Sequence, residues 1–329
     1  MQPAMNPTGR VLRYQSSFYT VDNGKELITC TARGKLKKSQ KTEYKTDIIT
    51  IGDLVTYSLI EEGIGVIESV LPRKSELIRM ITGIKMEYRQ VLIANPDQIL
   101  LVFAAAQPEP RLGMLDRFLV ICERQKVPPV IVINKVDLVP EQEINQKMIP
   151  YEKIGYRVMF TSAETGYGIE ELRTVLQGKI SGLIGPSGVG KSSLINRIDP
   201  NLDLKVNEVS GFTSKGKHTT VVRQMFPLEG GGYIADMPGI KTLALWDIEP
   251  EELDGYFPEI SPLVSQCLYR DCSHHPTEVG CAVHQAVEQG DVSKDRYESY
   301  LRIRYGEIEK EDLYPGIIDD DEKNAMEAD

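Results

Sequence analysis

Over the first 75 residues, apolar and polar positions alternate with a period of two in runs at 9–21, 26–36, 47–60 and 63–71, broken by Gly, Asn and Asp. Alternation of this kind buries one face of a β-strand and solvates the other. About five such strands joined by short turns predict a small all-β barrel of the oligonucleotide-binding type. Pro72-Arg73-Lys74 closes that segment. From about residue 91 the rhythm changes. A run at 98–106, apolar throughout after Gln98, precedes helical spacing at 114–125, and a second apolar run follows at 129–133. Buried strands alternating with helices predict a parallel sheet covered on both faces. Beyond residue 246, helical patterns at 282–289 and 294–310 follow a cluster of cysteines. The expected organisation is an all-β barrel at 1–75, an α/β domain at 76–245 and a mostly helical domain at 246–329.

Candidate chemistry sharpens the middle segment. The apolar strand at 180–184 runs into Gly185-Pro186-Ser187-Gly188-Val189-Gly190-Lys191-Ser192, and a helix begins at Ser193. Glycines at 185, 188 and 190 allow backbone N–H groups to turn inward around phosphate oxygens, aided by the positive end of the helix. Lys191 is expected to reach the β- and γ-phosphates, and the Ser192 hydroxyl to ligate Mg²⁺. A nucleotide kinase would carry the same loop, so the base-reading residues decide the ligand. Asn134-Lys135-Val136-Asp137 follows a buried strand. The Asp137 carboxylate can accept from the guanine ring N–H and amine, which adenine does not present there. Asn134 would brace the loop, and Lys135 would lie along the base. Ser162-Ala163-Glu164 is the candidate loop for the guanine carbonyl.

Asp236-Met237-Pro238-Gly239 follows another strand, so Asp236 can hold Mg²⁺ and the Gly239 amide can sense the γ-phosphate. In Gly216-Lys217-His218-Thr219-Thr220, Thr220 is the favoured Mg²⁺ and γ-phosphate ligand, with Thr219 the alternative. Ile240 stands where many regulatory GTPases carry a water-orienting Gln. His218 is the nearest replacement, and a partner's group is the other option. Asn134–Asp137 precedes the phosphate loop by about fifty residues, the reverse of the ordinary GTPase order. A circularly permuted domain follows, since such folds accept new termini at exposed loops.

Charge and cysteines alter the picture at both ends. The net charge of −10 is concentrated in residues 307–329, where ten acidic residues face two lysines. Residues 33–45 carry six positive charges and one negative, so Arg33, Lys35, Lys37, Lys38 and Lys41 form a candidate RNA contact despite the acidic total. Cys267, Cys272, His274 and Cys281 are spaced for one closed, structural Zn²⁺ site, with His275 the alternative to His274. Cys30 and Cys122 stand alone and read as core thiols. The chain shows no charged-then-apolar leader and no stretch long enough to span a bilayer, so a cytoplasmic protein is expected.

Together, the basic barrel, the permuted motifs Asn134–Asp137, Ser162-Ala163-Glu164, Gly185–Ser193, Gly216–Thr220 and Asp236–Ile240, and the Cys-x₄-Cys-x-His-x₆-Cys run resemble the RsgA (YjeQ) family of circularly permuted GTPases. The resemblance implies binding of GTP and GDP, hydrolysis stimulated by the small ribosomal subunit, and contact with 16S rRNA late in its maturation; a monomer is expected. The family shares the histidine before paired threonines at His218 and the apolar residue at Ile240. Two alternatives stand beside it. One is a permuted GTPase of the large subunit, and the other a nucleotide-gated RNA-binding scaffold with incidental turnover.

Overall fold

The computed structural model describes residues 6–15, 17–34, 36, 45–46, 48–82, 87–202, 223–237 and 248–306. The chain divides into two compact units, one of Met1–Pro110 with Cys122–Trp246, the other of Arg111–Ile121 with Asp247–Asp329.

In the first unit, strands β1 (Thr8–Gln15), β2 (Phe18–Asp22) and β3 (Leu27–Ala32) form an antiparallel meander. The single alternating run at 9–21 is in fact a hairpin. It turns at Ser17, whose φ of 76° lies in the left-handed region. A two-residue β4 (Lys45–Thr46) intervenes before β5 (Leu54–Glu61) and β6 (Ile64–Val70). Strand β6 runs parallel to β3 and antiparallel to β5, and β5 returns to β1. The order β1-β2-β3-β6-β5-β1 therefore closes, as the alternation predicts. Inward-facing Val11, Val21, Ile28, Val55, Tyr57 and Ile67 fill the barrel.

Strands β7 (Glu76–Thr82) and β8 (Glu87–Ala94) form a hairpin that the sequence pattern did not reveal, joined by β4 into a three-stranded sheet. A bulge between Leu77 and Ile78 frees one set of backbone groups. The Gln125 side chain satisfies both, accepting from Ile78 N at 2.7 Å and donating to Ile78 O at 3.1 Å.

The α/β part runs β9 (Gln98–Ala104), α1 (Leu112–Gln125), β10 (Pro129–Asn134), α2 (Glu141–Lys153), β11 (Arg157–Phe160), α3 (Ile169–Leu176), β12 (Ile180–Ile184), α4 (Lys191–Ile198), β13 (Arg223–Pro227) and β14 (Tyr233–Asp236). The strand order is β11-β10-β9-β12-β14-β13, parallel except for β13. Successive strands depart in opposite directions from the β9–β12 pair, and such a switch point opens a crevice beyond the strand ends. The phosphate loop leaves β12 there. Strand β1 couples barrel to sheet. Its first residues pair with β5, a bulge lies between Val11 and Arg13, and beyond it Arg13 and Tyr14 pair with Gln224 and Arg223 of β13. Eleven strands are thus continuous.

The second unit takes the first part of α1, short 3₁₀ turns at Pro250–Tyr256 and Ser261–Gln266, α5 (Ala282–Gln289) and α6 (Lys294–Tyr305). Phe257, Ile260, Val283 and Tyr300 are its buried apolar centre. The Arg296 guanidinium lies over the Phe257 ring and donates to Asp116 Oδ1 at 2.6 Å and Glu259 Oε1 at 2.7 Å, all three side chains being buried. Among the described residues, no helix is long and apolar enough to cross a membrane.

Candidate nucleotide site and metal centre

The phosphate loop is shaped by its neighbours as much as by its own glycines. Every residue of β12 is buried, which fixes where the turn begins. A Cβ on Gly185 would lie 1.9 Å from Val102 O. One on Gly190, which has φ of 93°, would lie 2.4 Å from Asn134 Nδ2, so no side chain fits at either position. Pro186, Gly190 and Ser193 are half-buried, Ser187 and Gly188 exposed, and Val189 and Ser192 buried. Lys191 folds back, donating from Nζ to Gly185 O and Pro186 O at 2.8 Å each. Burial pushes its pKa down, against the attraction of Asp236.

Asn134 ties the motifs together. It is 1% exposed, and its Nδ2 donates to Val189 O of the phosphate loop at 2.8 Å. Its Oδ1 accepts from Ala163 N at 3.1 Å and Thr161 Oγ1 at 3.4 Å. One buried amide therefore holds three separated segments in register. Lys135, at φ of 61°, donates from Nζ to Gly188 O at 2.7 Å and to Gln107 O. Asp137, in the short turn Val136–Leu138, is exposed and free to meet a base edge. Ser162 is buried and shapes its loop, accepting from Thr165 N at 3.1 Å. Thr161 and Gln107 belong to no motif, and no pattern in the sequence marks them.

Asp236 ends β14 in register with Leu183 of β12. Among the described residues, neither carboxylate oxygen meets a hydrogen-bond partner, although both are buried. Desolvation lifts its pKa to about 6, against the pull of Lys191 and the Met237 N–H. A buried carboxylate without a hydrogen-bond partner among the described residues, beside the phosphate loop and the buried Ser192, suits a hard divalent cation with oxygen ligands, and Mg²⁺ fits this donor set. His218, Thr219, Thr220, Gly239 and Ile240 lie outside the described residues, as do Lys35, Lys37, Lys38 and Lys41. Arg33 is exposed and pairs with Glu68.

In the second unit, the ligand atoms of Cys267, Cys272, His274 and Cys281 lie within 4.8 Å of one another. This group could hold a metal ion. His274 is fully buried, with Nδ1 3.6 Å from Cys267 Sγ and 3.5 Å from Cys281 Sγ. A sulfur and a nitrogen sharing one tetrahedral Zn²⁺ would stand about 3.6 Å apart, so the spacing fits. Asp254 Oδ2 lies 3.2 Å from His274 Nε2. Burial opposes ionisation of Asp254, but the bonds from His274 and Tyr300 and the charge of Arg304 hold its carboxyl below the usual range. The half-buried His275 instead faces Thr277, and His284 gives its backbone N–H, not its ring, to Cys281 Sγ at 3.4 Å.

A closed barrel followed by a phosphate-loop domain with its base-reading strand first defines a circularly permuted GTPase. The chain matches the RsgA N-terminal domain over residues 8–67 and the RsgA GTPase over residues 70–246. It is 41% identical over 303 residues to the "Small ribosomal subunit biogenesis GTPase RsgA" of Caldanaerobacter subterraneus subsp. tengcongensis, covering 92% of this chain and 96% of the relative. It is 44% identical over 281 residues to that of Gemmatimonas aurantiaca, covering 85% and 90%. The crystal structure of YjeQ from Thermotoga maritima superposes with a TM-score of 0.73 at 38% identity, covering 92% of this chain and 98% of that one. For YloQ, a circularly permuted GTPase, the values are 0.70 and 32%, with 93% and 96% covered. The chain belongs to the RsgA family and hydrolyses GTP.

Proposed function

We propose that this GTPase acts in the cytoplasm, as a monomer, on the small ribosomal subunit late in its maturation, with the subunit and its 16S rRNA stimulating hydrolysis and the GTP or GDP state governing binding and release. The observation that carries the reading is full-length similarity to relatives named for small-subunit biogenesis. The functional segments are 1–75 for RNA contact through Arg33, Lys35, Lys37, Lys38 and Lys41, 76–245 for hydrolysis, and 246–329, stabilised by zinc on Cys267, Cys272, His274 and Cys281.

In the proposed site, backbone N–H groups of Gly185–Gly190 and the side chain of Lys191 receive the phosphates, Lys191 exchanging its two carbonyl partners for phosphate oxygens. Ser193 adds a contact at the start of α4. Asp137 accepts from guanine, while Asn134, Lys135, Ser162 and Ala163 fix that loop. Ser192, Thr220 and Asp236 would hold Mg²⁺, which when bound neutralises developing phosphate charge. The Gly239 amide reads the γ-phosphate. His218 orients the attacking water, because Ile240 can neither accept nor donate. Slow turnover of the isolated protein follows.

Purified small and large subunits, added separately, test the assignment through the GTPase rate. Stimulation by small subunits alone is expected. Stimulation by large subunits alone would move the protein to the other subunit, and a rate unmoved by either would favour an RNA-binding scaffold.

A further inference from the structure

The carboxylate beside the metal cluster is itself held from two further sides. Asp254, in the 3₁₀ turn Pro250–Tyr256, presents Oδ2 to His274 Nε2 at 3.2 Å. Its Oδ1 accepts from the Tyr300 hydroxyl at 2.5 Å and from Arg304 Nη1 at 2.8 Å, both on α6. Arg304 Nη1 also donates to Tyr300 Oη at 2.8 Å. The Tyr297 hydroxyl, on the same helix, donates to His274 O at 2.6 Å. His274 is therefore gripped at its backbone carbonyl and at its far ring nitrogen, and α6 supplies or braces both holds. Only Nδ1 faces the cysteine sulfurs.

We infer that Asp254 is the outer-sphere positioning residue of the metal centre. Its carboxylate keeps the proton of His274 on Nε2 and the Nδ1 lone pair aimed at the ion, and through Tyr300 and Arg304 it makes metal loading and the seating of α6 one event. A histidine that donates its remote N–H to a carboxylate is fixed in tautomer and orientation and is a more basic ligand; losing such a partner commonly lowers metal affinity by about 10- to 100-fold. This inference rests on the reading of Cys267, Cys272, His274 and Cys281 as a metal centre.

The test uses the full chain and its Asp254→Asn and Tyr300→Phe variants, loaded with Zn²⁺ and titrated with a chromophoric chelator. Asp254→Asn, which keeps the size but loses the charge, should release Zn²⁺ at least about 10-fold more readily. Tyr300→Phe leaves the carboxylate in place without its hydroxyl donor, and a smaller loss is expected. With Co²⁺ in place of Zn²⁺, the ligand-field bands of Asp254→Asn should shift, because the ring is no longer held at one angle. Amide exchange in α6 should quicken on metal removal in the parent chain, and in Asp254→Asn it should be quick with or without metal. Parent-like affinity in both variants, or an affinity loss matched by an equal fall in the melting temperature of the metal-free protein, would overturn the inference. A parent chain that binds neither Zn²⁺ nor Co²⁺ would instead overturn the reading beneath it.

Discussion

Replacing Asp236 with Asn should remove a specific pH dependence from the stability of the nucleotide-free protein. The carboxyl is raised from 3.8 to about 6, because burial strips water from its two oxygens and Lys191 and the Met237 N–H compensate only in part. A rise of roughly two units corresponds to about 3 kcal/mol, at 1.36 kcal/mol per unit, by which the ionised form is disfavoured in the native state. Below its ordinary value the group is neutral in both states and costs nothing. Above about 6 it is ionised in both, and the full penalty applies. Stability from this group is thus present at low pH and lost as pH rises through 6. Between pH 5 and pH 8 the two-state linkage relation assigns it about 1.4 kcal/mol. Urea denaturation of parent and Asn variant in magnesium-free buffer, followed by circular dichroism at half-unit steps, measures the difference curve, in which all other carboxylates cancel. The variant should gain on the parent by that amount toward pH 8, at equal m-values. A flat difference curve, or one of opposite slope, would refute the claim that burial raises the Asp236 carboxyl beyond what Lys191 offsets.

The same carboxylate is expected to bind cation only when ionised, so Mg²⁺-dependent GTP affinity should decline below pH 6 in the parent; an affinity unchanged down to pH 5 in titration calorimetry would count against Asp236 as a ligand. Lys191→Ala should abolish nucleotide binding, and Asp137→Asn should reduce discrimination between GTP and other nucleotides, both read by fluorescent-nucleotide displacement. Asn134→Ala leaves Val189 O and Ala163 N without their buried partner, and should cost about 2–6 kcal/mol in unfolding free energy, at 1–3 kcal/mol for each unmet group. Arg296→Ala takes the guanidinium away from two buried carboxylates, Asp116 and Glu259, and should destabilise the second unit by about 3–5 kcal/mol in denaturant titrations, whereas a loss below 1 kcal/mol would refute a large contribution from this ion pair.

The barrel and the nucleotide loops were legible because period-two alternation and glycine-rich turns are local signals. Cys267, Cys272, His274 and Cys281 were legible from spacing, but the choice of Nδ1 was not. Nothing local says which ring nitrogen faces inward, and only the fold brings Asp254 to Nε2. The hairpin of β7 and β8 escaped because Arg79 and Arg89 interrupt its apolar pattern, and because its bulge is satisfied by Gln125, a residue 47 positions from Ile78. Asp116 offered a missed clue. A carboxylate on an otherwise apolar helical face needs a partner, yet Arg296 lies 180 residues away. Those partnerships are properties of tertiary structure. His218, Thr220 and Gly239 stay on the footing the motifs give them, since they fall outside the described residues.

The bulged strand β1 has a consequence for biosynthesis. Its first half closes the barrel against β5, which lies within the first 61 residues, while its second half pairs with β13, which begins at Arg223. A nascent chain can therefore complete the barrel early, with Arg13 and Tyr14 offering an open sheet edge for the time taken to synthesise roughly 150 further residues, on the order of eight to thirty seconds at 5–20 residues per second. Until β13 emerges, that edge is a template for any other strand. A gene truncated after the barrel, or a ribosome stalled before Arg223, would release a product with this sticky flank exposed. Selective ribosome profiling with a chaperone that recognises unpaired strands should mark the interval between the two.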